Sequence, residues 1–344
     1  MADKKATIKQ VAQLAGVSTS TVSRVINGRD PKVARKEVQT RIWDAVRQLD
    51  YTPNLDAQNL KKNKNLEQRK QGRQIGIVFA RDEEEKINPF FIEIARHFEK
   101  KSLQLGYNVK FSVRYEKENP KKIKHIFDTY QVEGMLILGK YSPSLLKMIK
   151  ESCSFYVYSG LQKIQQNGFD QIICDGYQAS VATIQHLNNL GHRKISYLGE
   201  IGREARYIGY KDAMKTLGLP CPPSHILSSR FTVEGGYKAI LKNIHNLNVT
   251  AIFCGNDWVA MGALKALKEH GIRVPEDISL ISIDDIEDLQ EVTPLLSTVR
   301  IPVEDMGKMA AKVLIDRMEG ERILPLAIEL PYTIINRESC KPIT

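Results

Sequence analysis

Apolar and polar positions follow three successive patterns along the chain. Residues 7–50 place apolar side chains at helical spacing in short pieces. The first piece carries Val11, Ala12, Leu14 and Ala15 and stops at Gly16, which can supply the left-handed conformation of a tight turn. Val17 is expected to tuck into a core. A second helix is expected over Thr19–Asn27, ending at Gly28, and a third at about Arg35–Leu49. In the third, Val38, Ile42, Ala45, Val46 and Leu49 form one apolar stripe. Residues 51–74 are polar with a single proline. From Ile75 onward, Val/Ile-rich runs alternate with amphipathic stretches.

The runs predict strands at Ile75–Ala80, Asn108–Val113, Gly134–Leu138, Phe155–Tyr158, Gln171–Cys174, Lys194–Leu198, Thr250–Cys254 and Ile278–Ile283. Helices are predicted between them, for example Pro89–Leu105, Tyr177–Leu190, Ala205–Leu217, Val233–Asn246 and Asp257–His270. Alternating strand and helix with continuously apolar strands means an α/β fold, its parallel sheets covered on both faces. About 270 residues is long for one sheet, so two α/β lobes are the natural partition.

Charge changes the picture. The chain of 344 residues carries +10 in all. Residues 1–74 hold 16 Lys/Arg against 7 Asp/Glu, or +9, and the remaining 34 and 33 leave the body at +1. A basic arm ahead of a neutral body points to a polyanionic partner. No apolar run reaches the ~18 residues of a membrane span, and the polar N-terminus has no secretory character, so a soluble cytoplasmic protein is expected. The five cysteines are odd in number and form no C-x-x-C pair, and the seven histidines show no ligand spacing. Neither a disulfide framework nor a structural metal is expected, and no cofactor.

Local chemistry gives the basic head a form. Thr7 and Gln10 match a capping box, and Ser18 is a suitable cap for the second helix. Two helices joined by a glycine turn, the second showing Thr19, Ser20, Thr21, Ser23 and Arg24 outward, fit a helix-turn-helix. Those hydroxyls and the guanidinium can reach phosphates and base edges in duplex DNA. A small helical bundle with a polar surface remains the alternative for this segment taken alone.

The stretch T-I-K-Q-V-A-Q-L-A-G-V-S-T-S-T-V-S-R-V-I-N-G at 7–28 resembles the head of the lactose/galactose repressor family of bacterial transcriptional regulators. The resemblance continues through Tyr51-Thr52-Pro53-Asn54, Ala57, Leu60 and Gly191-His192-Arg193-Lys194-Ile195, and covers essentially the whole chain. It implies a helix-turn-helix head at 1–53, a hinge helix and basic linker at 54–74, and a two-lobed periplasmic-binding-protein-like core at 75–344. Lobe 1 would comprise about 75–175 and 303–332, and lobe 2 about 176–302 and 333–344. It places Thr19, Ser20 and Arg24 at base-reading positions, with Thr7, Ser18, Thr21, Ser23, Asn27, Asn54, Ala57 and Lys61 also on DNA. Leu60 matches the residue wedged into a minor-groove step, where unstacking must be offset by the contacts of bent DNA. Asp56 and the long basic run from Asn63 to Arg73 depart from the family pattern.

The resemblance also implies a ligand cleft between the lobes. In open α/β sheets, ligands lie outside the carboxyl ends of strands. Phe90, Arg206, Phe231, Asn256 and Asp284 fall after predicted strands or at the helix starts that follow. By resemblance, Arg206, Asn256 and Asp284 bind sugar hydroxyls and Phe231 covers the apolar face of the sugar. Arginine and carboxylate can clamp neighbouring hydroxyls from two sides. Plainer roles stay open: Asp284 as a turn cap, Arg206 as a helix-end ion pair, Phe231 as core. Asp257 is expected to cap the helix beginning at Trp258.

Paired carboxylates for glycoside cleavage are a poor fit, because Asp284 and Asp285 are adjacent and diverge. No P-loop, G-x-G-x-x-G or G-x-S-x-G occurs, so catalysis is not expected. The resulting expectation is a repressor that binds palindromic double-stranded operator DNA as a homodimer. Its affinity would be set by a small effector, a sugar and within sugars a galactoside. The alternative is a global catabolite-type regulator controlled by a protein or a phosphometabolite, which would need a basic pocket or a partner patch. The sequence ends with N-R-E-S-C-K-P-I-T and no additional heptad helix, so a dimer is expected, with Ile92–Phe98 as a candidate interface.

Overall fold

The computed structural model describes residues 6–26, 34–49, 51, 73–80, 88–116, 119–139, 142–164 and 168–343. It divides into two units, Met1–Gly72 and Arg73–Thr344.

The first unit contains helices α1 (Ile8–Ala15), α2 (Thr19–Ile26) and α3 (Lys36–Gln48). Thr7 Oγ1 accepts from Gln10 N at 3.4 Å while Gln10 Oε1 accepts from Thr7 N at 2.8 Å, so the expected capping box closes. Gly16 ends α1 at φ 66°, and its N–H reaches back to the carbonyls of Ala12 and Gln13. Val11, Ala12, Ala15, Val22, Ile42 and Ala45 form the buried core, with Val17, Val38, Val46 and Leu49 packed around it. Leu14 departs from expectation. It stands 48% exposed, because three short helices enclose only a narrow core and position 14 lies outside it.

In the second unit the order is β1 (Gln74–Phe79), α4 (Pro89–Gln104), β2 (Asn108–Arg114), α5 (Pro120–Tyr130), β3 (Gly134–Leu138), α6 (Pro143–Ser152), β4 (Phe155–Gly160) and β5 (Asp170–Ile173). There follow α7 (Gly176–Asn189), β6 (Ile195–Gly199), α8 (Ala205–Thr216), β7 (Ile226–Ser228), α9 (Val233–Asn243), β8 (Ala251–Cys254) and α10 (Asp257–Glu269). The last elements are β9 (Ser279–Asp284), β10 (Ser297–Arg300), α11 (Val303–Met318), β11 (Ala327–Glu329) and β12 (Thr333–Ile335).

These strands build two six-stranded sheets, ordered β11-β5-β4-β3-β1-β2 and β12-β10-β9-β8-β6-β7. The first is parallel throughout. The second is parallel except for β12, which runs antiparallel to β10 at its edge. Strand periodicity sorts the core: Ile75, Ile77 and Phe79 face one hydrophobic cluster, while Val78 faces the other with Phe111, Ile123 and Phe127. Both faces of β1 are therefore covered, as a parallel sheet requires.

Three crossovers join the sheets: after β5, after β10, and between β11 and β12. On α4, Ile94, Ala95 and Phe98 are buried and only Ile92 points outward among the apolar residues of that stretch. The helix needs that apolar face for the sheet and for α11. A Cβ at Gly307 of α11 would lie 2.5 Å from the Ile94 carbonyl, so the two helices meet backbone to backbone. Within the expected Ile92–Phe98 interface, Ile94, Ala95 and Phe98 are therefore internal packing, while Ile92 and Arg96 stay exposed.

Candidate DNA-reading helix and ligand site

On α2, Thr19, Ser20 and Arg24 are exposed and Thr21 and Ser23 half-buried. Val22 points the other way into the core, which fixes which face of the helix is outward. Ser18 Oγ accepts from Thr21 N at 3.2 Å and lies 2.8 Å from both Ser20 Oγ and Thr21 Oγ1. Arg24 Nε donates to the Ser20 carbonyl at 3.3 Å, laying the guanidinium along its own helix. Hydroxyls and a cation thus share one solvent-facing surface, with Thr7 exposed at the start of α1. Asn27, Asn54, Ala57, Leu60 and Lys61 lie outside the described residues, as does the expected hinge helix.

In the second sheet the connections leave β6 toward β7 on one side and β8 on the other. The crevice beyond the carboxyl ends of β6 and β8 is the topological switch point, where side chains from two diverging connections can converge. Gly199 ends β6 and Gly255 follows β8. A Cβ built at either would lie 2.7 Å and 2.5 Å, respectively, from Phe231 Cε1. The missing side chains make room for the Phe231 ring, which is fully buried there.

Arg206 completes the arrangement. It enters from the first turn of α8, its guanidinium 4.1 Å from the Phe231 ring centroid. Nε donates to Glu204 Oε1 at 2.7 Å and Nη1 to the Gly255 carbonyl at 2.8 Å. Its stem passes the crossover between sheets: a Cβ at Gly176 would stand 3.3 Å from Arg206 Cγ and 3.0 Å from the Leu161 carbonyl. Burial alone would lower the pKa of the guanidinium. Glu204 and Asp284 beside it reverse that and hold it above its ordinary value.

Asp284 ends β9 and Asp285 follows it, with φ of 127° and 59°, a positive-φ corner that side-chain-bearing residues seldom adopt. Such strain persists only where the surroundings enforce it. Here Asp285 accepts from Arg300 Nε at 2.6 Å and from Arg337 Nη2 at 2.7 Å. Beneath the corner, Asp257 accepts from Ser282 Oγ at 2.5 Å, Thr298 Oγ1 at 2.9 Å and Ile286 N at 2.9 Å. Desolvation outweighs these bonds and raises the Asp257 pKa to about 7, with Asp285 adding to the rise.

Two sequence expectations change. The cap of α10 is Asn256, whose Oδ1 accepts from Val259 N at 3.0 Å, and not Asp257. Asp257 is drawn inward because two strand hydroxyls and a corner amide offer it bonds that solvent does not. Phe90 sits in the hydrophobic core at 2% exposure, in edge contact with the more accessible Phe91 (centroids 5.0 Å apart). Arg206, Phe231, Asn256 and Asp284 gather at the carboxyl ends of β6, β8 and β9, whereas Phe90 belongs to α4. Sequence reasoning missed Glu204; its signal was a carboxylate two residues before Arg206 at a helix start.

The chain matches a family model described as bacterial regulatory proteins, lacI family, over residues 7–54, and one described as periplasmic binding protein-like domain over residues 184–340. An HTH-type transcriptional repressor PurR of Shigella sonnei (strain Ss046) is 32% identical over 344 residues, 97% of this chain and 96% of the relative. Among solved structures, the complex of transcriptional regulator CelR with cellobiose superposes with a TM-score of 0.71 at 24% identity, covering 98% of this chain and 100% of that one. The lac repressor dimer bound to operator and the anti-inducer ONPF gives a TM-score of 0.66 at 23% identity, covering 98% and 99%. The last two likenesses concern the fold. With the helix-turn-helix head, the two-sheet core and a full-length relative in agreement, the chain belongs to the lacI family of bacterial regulatory proteins, as a DNA-binding transcriptional repressor with a ligand-binding core.

Proposed function

We propose that this repressor is a cytoplasmic homodimer, acting by binding and not by catalysis, whose operator affinity is set by a sugar held between the two sheets of its core. The observation that carries the reading is the convergence of Arg206, Phe231 and Asp284 at the switch point beside the crossovers. Sugar hydroxyls both donate and accept, so a guanidinium and a carboxylate suit them, while the Phe231 ring, fully buried, backs the guanidinium. A complex with cellobiose among proteins of this fold lends the sugar reading support.

On the DNA side, Thr19, Ser20 and Arg24 are proposed to reach base edges in the major groove. Thr7, Ser18, Thr21 and Ser23 would meet the backbone and fix the register. A sugar that favours one lobe geometry shifts operator affinity only by its preference for that geometry. Typical couplings of ~1–3 kcal/mol correspond to ~5–150-fold.

The test is calorimetric titration of the purified full chain with galactose, glucose, ribose and cellobiose. Saturable binding of at least one sugar is expected, with the heat lost in Asp284→Asn. Binding that survives Asp284→Asn and Arg206→Ala unchanged would place the ligand elsewhere.

A further inference from the structure

We infer that the effector site is built for an uncharged ligand, and that Glu204 is the residue that excludes phosphorylated and carboxylated ones. The inference rests on the ligand-site reading above and narrows its chemistry.

Arg206, Glu204 and Asp284 are 7%, 7% and 5% exposed, so water screens their charges little. The guanidinium pairs with the Glu204 carboxylate and feels the charge of Asp284 nearby, and the three side chains together carry a net negative charge. Arg206 is already committed in three directions. Glu204 holds Nε, the Gly255 carbonyl holds Nη1, and Phe231 covers one face of the plane. The Nε–Nη2 edge, one of the two by which a guanidinium grips a carboxylate or phosphate with parallel bonds, is therefore spent inside the protein.

An anionic ligand entering here would lose its hydration beside two buried carboxylates and find the cation already answered. A hydroxyl faces no such conflict. It can accept from Arg206 and donate to a carboxylate while bringing no charge. The phosphometabolite version of a regulator would need cations free to meet an anion, whereas Arg206 is held by Glu204 and the Gly255 carbonyl, and Arg300 and Arg337 are paired with Asp285.

Glu204 also caps α8, accepting from Arg206 N at 3.4 Å. Glutamine presents the same acceptor to that amide and to Nε, so Glu204→Gln removes the charge and keeps both bonds. That separates charge exclusion from a merely structural role.

The experiment is calorimetry on the full chain with matched pairs: galactose and galactose 6-phosphate, glucose and glucose 6-phosphate, ribose and ribose 5-phosphate. Cellobiose and adenine serve as further uncharged probes. In the wild type, an uncharged member binds and its phosphorylated counterpart binds at least ~100-fold more weakly. E204Q narrows that ratio by ~10-fold or more. A phosphorylated sugar binding the wild type as tightly as its neutral partner overturns the inference while leaving a sugar site. A ratio unchanged in E204Q removes Glu204 as its cause, and failure of every uncharged probe to bind overturns the inference altogether. Adenine binding without any sugar would instead sink the sugar reading and leave charge selection standing. The wild-type ratio is read without the variant, so it stands even if E204Q does not fold.

Discussion

The guanidinium of Arg206 lies 4.1 Å from the centre of the Phe231 ring, stacked where two strand-end glycines leave room for that ring. The aromatic side chain is both a floor for the cation and a filler of the second sheet's carboxyl edge. Phe231→Ala should cost about 3–5 kcal/mol of stability by emptying a fully buried site. Urea unfolding measures it; a loss below about 1 kcal/mol would mean that the ring is not packed as described.

The Asp257 carboxyl, raised to about 7 by burial, gives the core a pH signature of known sign. A carboxylic acid whose folded pKa lies above its unfolded value near 4 holds its proton longer in the folded state. Its contribution to stability is present below pH ~4 and is lost as pH rises through about 7. His192 and His225, both buried, and the half-buried His186 have lowered pKa values, chiefly from desolvation, and act oppositely, adding stability as pH rises toward 6.5. The diagnostic quantity is therefore the difference from Asp257→Asn. Between pH 5 and 7.5, wild-type stability should fall relative to the variant by up to about 1.4 kcal/mol per unit. Parallel curves for the two proteins would show that Asp257 does not titrate in this range.

At the head, the Thr7–Gln10 capping box and the left-handed Gly16 fix the ends of an eight-residue helix. Thr7→Ala should lower stability by ~1 kcal/mol. Gly16→Ala should cost a similar ~1–2 kcal/mol, because φ is 66° there while Cβ itself has room, the nearest atom standing 3.8 Å away. Thermal melts of the isolated substitutions decide both; a neutral Gly16→Ala would show that the turn relaxes.

Arg24 leans on its own helix through the Ser20 carbonyl and is exposed, free to swing toward a groove. Arg24→Ala should weaken operator binding by roughly 1–3 kcal/mol if the side chain reads a base, with relaxed preference at that base pair. If it meets a phosphate, the loss is uniform across sequences and the salt slope falls by about 1. Unchanged affinity and slope would remove it from the interface.

Much of the fold is legible because its signals are local. The alternation of Val/Ile runs with amphipathic stretches is written in Ile75, Ile77 and Phe79, and several helix starts carry their own marker. Asn88-Pro89, Asn119-Pro120 and Ser142-Pro143 put a capping side chain before a proline at the first helical turn, although only the first of these was read as a helix. Strands β7, β10, β11 and β12 escaped, each three or four residues long and too short to show a period. Their existence is decided by the neighbours they pair with.

The site divides in the same way. Arg206 and Asp284 stand out at a helix start and after a strand, and Phe231 through the family resemblance, but their gathering around one guanidinium is not legible, since residues 78 apart in sequence come together only through topology. Asp257 was misread for a related reason. At a helix start a carboxylate ordinarily caps, and only the tertiary placement of Ser282 and Thr298 gives it better partners.

The measurement that bears most directly on the account is operator affinity of the full chain as a function of sugar concentration at fixed salt. With a sugar that binds the core, affinity should change by ~5–150-fold in one direction and saturate at the concentration that saturates calorimetric binding. An affinity that stays flat while the core is saturated would contradict the account, because the sugar would then occupy the protein without controlling it.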